Sequence, residues 1–142
     1  MNTLALIRLI YASRVAPGVQ EEQLQKILAT AWKHNGEHGI SGILYFNGDV
    51  FFQCLEGMSA EVNQLYHRIV VDPRHRQLTL LEVRTISERQ FADWKMGYVP
   101  DQVPTRSVLR ARLGSDVFDP FALSGETALE LLLDLKPFAA MA

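Results

Sequence analysis

Two polar residues of this chain fall where apolar ones are expected. In the run Val50-Phe51-Phe52-Gln53-Cys54-Leu55, strand alternation puts Gln53 on the face of Phe51 and Leu55. An amide there is expensive unless it finds hydrogen-bond partners. Tyr11 lies on the face of Ile7 and Leu9 in the segment Leu4 to Ser13 (LALIRLIYAS). If these two strands adjoin, the phenol and the carboxamide face each other. The plainer reading is a core tyrosine beside a satisfied glutamine.

Other candidates are weaker alone. Asn35 stands at the C-terminal end of the first helix, as a left-handed cap or as an amide that grips a ligand. Arg68 and Asp72 are spaced i, i+4 on a second helix and read as a surface ion pair worth less than about 1 kcal/mol, unless a ligand recruits them. His34 and His38 share that spacing, but Gly36 interrupts the helix between them and no third metal ligand is evident. Arg74-His75, after Pro73, reads as a solvated turn. Trp94 and Met96 alternate on one strand face as half-buried edge packing. Cys54 is the single cysteine, which excludes an intrachain disulfide and any zinc site needing two thiolates within the chain. No nucleophile-base-orienter triad, Gly-rich phosphate loop or HExxH motif is found, so classical catalysis has little support and the chain reads as a non-enzyme.

The elements that must position these residues follow from periodicity. Leu4 to Ser13 is apolar on both faces, as a central strand requires. After the Pro17-Gly18 turn, Leu24, Ile27, Leu28, Ala31 and Trp32 form a helical stripe that should end around Asn35-Gly36. Ile40–Phe46 and Val50–Leu55 flank Asn47-Gly48, a strong hairpin signal. Ser59 is the expected N-cap of a second helix carrying Val62, Leu65, Tyr66, Ile69 and Val70 until Asp72-Pro73. Leu78–Ile86 reads as a strand, with Leu78 and Leu80 opposing Leu81 and Val83. The order β-α-β-β-α-β is ferredoxin-like, an α+β fold, and Trp94, Met96 and Tyr98 suggest one added edge strand. Two C-terminal helices are expected, from about Thr105 to Leu113 and from Gly125 to Lys136. Right-handed crossovers put the first two helices on one sheet face. Val108, Leu109, Leu113, Leu129, Leu132 and Leu133 should therefore cover the other face or a partner subunit.

The 142 residues, 48% hydrophobic and 21% charged with a net charge of −2, fit a single globular domain. The even charge balance lacks the footprint of a nucleic-acid binder. Met1 to Arg8 lacks the basic region and cleavage site of a signal peptide, and no apolar run approaches the roughly 18 residues that cross a bilayer. A cytoplasmic protein without nucleic-acid or membrane partners is expected.

Taken in order, Leu9-Ile10-Tyr11-Ala12-Ser13, Asn35 before Gly39-Ile40-Ser41-Gly42, Phe51-Phe52-Gln53-Cys54-Leu55-Glu56-Gly57, Asp72-Pro73-Arg74-His75 and Phe91-Ala92-Asp93-Trp94-Lys95-Met96 resemble a BLUF domain, the family of blue-light sensors using FAD. The resemblance spans about residues 4 to 99. It implies a flavin-binding photosensor over 4–99 and a C-terminal helical cap over 100–142 that serves output or oligomerisation, as in short stand-alone members. By the resemblance, Tyr11 is the redox-active donor and Gln53 bridges it to the flavin. Photoexcitation draws an electron and a proton from the phenol, and the amide rotates or tautomerises, giving a red-shifted signalling state. Asn35 would bind the ring, Ile27 and Ile69 would sandwich it, and Arg68 and Asp72 would lie near the ribityl and phosphate end. Phe51, Leu55, Arg74 and His75 complete the expected cofactor contacts. Trp94 and Met96 would relay the signal, with Ser13 as a further partner of the tyrosine. FAD is the expected cofactor, with FMN or riboflavin as alternatives. The implied partners are a separate signalling protein and further copies of the chain. Two rival readings remain: a ferredoxin-like small-ligand or RNA-binding module without photochemistry, and a small hydrolase. RNA is disfavoured by the acidic pI and the lack of an RNP1-like strand. The first βα turn, Arg14-Val15-Ala16-Pro17-Gly18, offers the hydrolase no phosphate cradle.

Overall fold

A computed structural model describes residues 5–141; Leu4, the expected start of the first strand and of the sensor, lies outside the described residues. β1 (Leu6–Val15), β2 (Ser41–Phe46) and β3 (Val50–Met58) are buried on both faces over most of their length, as their two-sided apolar runs require. With α1 (Glu21–His38), α2 (Ser59–Val70) and β4 (His75–Thr85) they complete the β-α-β-β-α-β order. Leu24, Leu28 and Val62 of the two helices share one core with Ile7, Leu9, Tyr11, Phe51 and Leu55. On the opposite face Ile10, Ala12, Phe52 and Cys54 meet Leu109 of α3 (Val103–Leu113) and Leu131, Leu132 and Leu135 of α4 (Gly125–Leu135). Val108, Leu113, Leu129 and Leu133 pack against the same cluster. The C-terminal helices thus cover the second face within one chain.

The sheet runs β4-β1-β3-β2-β5-β6. β5 (Gly97–Pro100) is parallel to β2, and β6 (Ala140–Met141), which periodicity did not suggest, pairs antiparallel with β5. The added strand therefore begins later than Trp94, Met96 and Tyr98 suggested. Trp94 and Met96 precede it in an irregular strap and do not share a strand face. The strap's backbone groups are taken by other partners: Glu56 accepts from the N–H groups of Gln90 and Phe91 at 2.9 Å, and Trp94 C=O accepts from Gly42 N–H at 3.0 Å.

Three local expectations are corrected. α1 runs through Gly36 and ends at Gly39, whose φ of +65° places it in the left-handed region that favours glycine. Met58, not Ser59, occupies the N-cap of α2; Ser59 is the first helical residue, and its N–H donates to Ala5 C=O at 2.8 Å. A register shift between Ile10 and Tyr11 pairs Leu9 with Val83 and Tyr11 with Leu80, so Val83 joins the Leu80 face instead of opposing it. The hairpin stands as expected: Asn47 Oδ1 accepts from the N–H groups of Asp49 and Val50, and Gly48 takes φ +90°. Among the described residues no helix is long and apolar enough to cross a membrane.

Candidate functional site

Tyr11 and Gln53 are direct cross-strand partners of β1 and β3. The pairing follows from the antiparallel register and from placing both side chains on the α1/α2 face. The Tyr11 hydroxyl donates to Gln53 Oε1, and Gln53 Nε2 donates to Met96 Sδ at 3.3 Å. One amide thus spans a phenol and a thioether, with its oxygen toward the tyrosine. Burial, reinforced by Tyr66 and the charge of Asp72, pushes the Tyr11 phenol well above its ordinary pKa. It stays protonated throughout the physiological range.

These side chains form the floor of a cleft of about 190 Å³ between α1 and α2. Ile27 on α1 and Ile69 on α2 supply apolar walls, and Phe51 and Leu44 close the inner end. Asn35 lines the cleft from the last turns of α1. Its Nδ2 donates to Lys95 C=O at 2.6 Å, while its Oδ1 is buried with no regular hydrogen bond among the described residues and acts only on the neighbouring His34 ring. Arg68, Asp72, Arg74 and His75 line the other end. Arg68 and Asp72 do not form the expected helix-surface pair. Asp72 lies beyond α2 and receives Arg74 Nε at 3.0 Å on both carboxylate oxygens. That guanidinium holds the Asp72 carboxyl below its ordinary range.

Arg74-His75 is not a solvated turn either. His75 opens β4 and packs its ring 4.4 Å from that of Phe51 and 6.0 Å from that of Tyr11. Its Nδ1 is 2.7 Å from Ser13 Oγ. Burial lowers the imidazole to about 4, against the opposing pull of Asp72, so the ring is neutral at pH 7. Ser13 therefore reaches the Tyr11 neighbourhood through His75.

Three predicted site residues lie off the cleft lining: Leu55 is wholly buried in the core behind it, Ser13 bonds to His75, and Trp94 packs with the opposite cluster. Trp94 faces away from the cleft, its ring 5.4 Å from Lys136 Nζ and tilted against that of Phe91 at 6.3 Å. Met96 points inward. Sequence reasoning missed Leu28, Thr30, Ala31, Leu44 and Leu65 as lining residues, although Leu28 and Ala31 belong to the Ile27 stripe and Leu65 to that of the second helix. It left His34 without a role. His34 lines the cleft, its Nδ1 buried with no regular hydrogen bond among the described residues and its ring stacked 4.3 Å from His38. Burial and the neighbouring His38 lower its pKa. His38 Nδ1 in turn meets Glu61 Oε2 at 2.7 Å. Among the described residues no set of His, Cys, Asp and Glu side chains is arranged to hold a metal ion.

Glu56 was also missed. It is wholly buried on the Phe52/Cys54 face, accepts from Arg8 at 3.0 Å, its cross-strand partner, and anchors the strap through Gln90 and Phe91. The alternation that singled out Gln53 applies equally to Glu56, three residues on and on the other face.

The cleft has the donor set for a flavin. Ile27 and Ile69 present apolar walls that would suit the faces of a flat ring, and the Asn35 Oδ1 and the Gln53 amide would be available to its polar edge. Comparison with known proteins agrees. The BLUF family model, described as sensors of blue-light using FAD, matches residues 6–97. Over 86 residues the chain is 34% identical to the blue light- and temperature-regulated antirepressor BluF of Escherichia coli (strain K12), covering 61% of this chain and 21% of that protein. It is 33% identical over 92 residues to the photoactivated adenylate cyclase subunit beta of Euglena gracilis, covering 64% of this chain and 11% of that one. The chain thus spans about a fifth and about a tenth of their lengths. Among solved structures, the BlsA ground state superposes with a TM-score of 0.84 at 31% identity, over 96% of this chain and 91% of that one. The dark-state BLUF protein BlrB gives 0.76 at 30%, over 92% and 94%.

Proposed function

The chain belongs to the BLUF family of blue-light sensors using FAD, and from that premise we propose that it is a photoreceptor whose switch is the hydrogen-bond chain from Tyr11 through Gln53 to Met96. The observation that carries this is the Gln53 amide, which donates to Met96 and accepts from a buried, protonated phenol on the floor of the cleft. Bound there, a flavin supplies a ring that absorbs blue light and becomes a strong one-electron oxidant.

The rest is done by the chain. Ile27 and Ile69 would hold the faces of the ring, and Asn35 would offer its Oδ1 to the ring's edge. Arg68, Asp72, Arg74 and His75 suit the ribityl and phosphate end. A phenol that loses an electron becomes strongly acidic, and the acceptor already on its hydroxyl is Gln53 Oε1. Once the electron and the proton have returned to Tyr11, an amide left rotated about its terminal bond turns Nε2 toward the tyrosine oxygen and Oε1 toward the Met96 sulfur. A thioether cannot donate, so the bond at Met96 is lost and the strap feels the change. Tyr11 and Gln53 are thus the photoactive pair, and Met96 is the first relay. Trp94 lies two residues before Met96 on the same strap and faces α4, which suits it to carry displacement to the C-terminal cap.

We take residues 4–99 as the sensor and 100–142 as the cap and output segment. The cofactor is proposed to be FAD, as the family description has it; the mass of the flavin released on denaturation separates it from FMN and riboflavin. The output is proposed to pass to a separate protein or to another copy of the chain in the cytoplasm, by a change of conformation rather than by turnover. The test is an absorbance spectrum of the purified protein, in darkness and immediately after blue illumination. A flavin spectrum that shifts red and recovers in the dark is expected. A colourless protein that cannot be reconstituted with flavin overturns the reading.

A further inference from the structure

Met96, the end of the switch chain, follows Lys95, and the last turns of α1 hold Lys95 in three ways. Its carbonyl accepts from Asn35 Nδ2 at 2.6 Å. Its methylene stem crosses Gly36, where an added Cβ would come within 3.2 Å of both Cδ and Cε. Its ammonium stands 4.0 Å from the centroid of the Trp32 ring, an indole left 43% exposed. Trp32, Asn35 and Gly36 are spaced i, i+3 and i+4, so neighbouring positions on one stripe of α1 grip one residue of the strap. A large exposed indole with a cation on its face is a specific pairing, and the bare Gly36 lets the stem lie flat between them.

We propose that Lys95, Trp32 and Gly36 form a clasp that keeps the strap in its dark register and sets how long the light-driven state lasts. The inference rests on the photoreceptor reading above. The upstream strap is pinned at Gln90 and Phe91 by Glu56, at the Gln90 carbonyl by Lys136, and at Trp94 by Gly42 N–H. Downstream, Gly97 enters β5. Movement after Gln53 turns therefore begins at Lys95 and Met96, before it reaches the Trp94 side chain, and a shift of Met96 drags the Lys95 ammonium off the indole. The clasp closes only when Met96 again lies under Gln53, so it favours return. Lys95 is a positioning residue, acting through Met96.

The test uses the full chain with its flavin. Lys95→Met keeps the stem and removes the cation, Trp32→Leu removes the ring, and Lys95→Arg keeps a cation over the ring. The first two should each slow dark recovery of the red shift about two- to fivefold. The double variant should be no slower than either, and Lys95→Arg should recover at the original rate. The size of the red shift, the flavin content and the thermal midpoint should not change. Unaltered recovery in Lys95→Met or Trp32→Leu overturns the clasp. So do additive slowing in the double variant, a slow Lys95→Arg, and slowing that tracks the thermal midpoint. Absence of any red shift in the unaltered protein instead overturns the photoreceptor reading, and the clasp with it.

Discussion

At the scale of single residues, the Tyr11–Gln53 pair gives two expectations. Tyr11→Phe removes the proton and the readily oxidised phenol while keeping the ring that packs against Tyr66 at 6.0 Å. It should bind flavin and show no red shift by absorbance; a normal shift would sink the donor assignment. Gln53→Leu removes the amide but keeps a side chain of similar bulk, so flavin should bind and the normal photocycle should be lost, and unaltered cycling would count against its role. A third concerns pH. His75 is held down to about 4 by burial, whereas the unfolded chain titrates near 6.5. Between those values unfolding takes up a proton, so the stability from the neutral ring is complete above 6.5 and is lost as pH falls toward 4. The thermal midpoint should therefore drop across that window, and His75→Gln should flatten the slope. His34, lowered for the same reason, keeps some slope in place. Asp72, whose carboxyl sits below the usual range, acts at lower pH.

At the scale of elements, what was legible in the sequence was what periodicity reports. Both strand faces of β1 and β3, the hairpin at Asn47-Gly48 and the stripe of α1 follow from local pattern. What misled was long-range competition. Gly36 reads as a stop, yet it carries the helix on because Lys95, sixty positions of chain away from Asn35, fills the space beside it. Trp94 and Met96 alternate like a strand, but the backbone groups of Trp94 answer to β2 and the strap, and the two side chains enter opposite cores. The bulge in β4 leaves no mark in a run of apolar residues. The site shows the same division: Tyr11 and Gln53 were legible as polar residues on apolar faces, whereas the pairing of Asp72 with Arg74, and His75 beneath Tyr11, needed the turn in space. The junction of strap and β5 is open to test. A Cβ at Gly97 would come 2.5 Å from the Trp94 ring, so Gly97→Ala should displace the indole and change its near-ultraviolet circular dichroism, with a stability cost of about 1–3 kcal/mol.

At the scale of the whole molecule, the sheet is a shared wall between two cores. One holds the cleft, and the other is closed by α3 and α4. Leu132 is wholly buried in the second. Leu132→Ala should cost about 2–5 kcal/mol in urea unfolding while leaving flavin binding intact below the transition; loss of flavin ahead of unfolding would show that the two cores are coupled more tightly than separate clusters imply. The second core also contains the chain's one thiol. Cys54 is fully buried, and burial together with the charge of Glu56 holds its pKa well above the ordinary value, so it stays protonated and shielded from reagents. The native protein is therefore a blank background for maleimide chemistry. A cysteine placed at an exposed position such as Val103 and another at Leu80 would be the two sites to take up spin labels, with Cys54 left in place. Distances between cap and sheet edge could then be read in darkness and in light without first removing the native thiol.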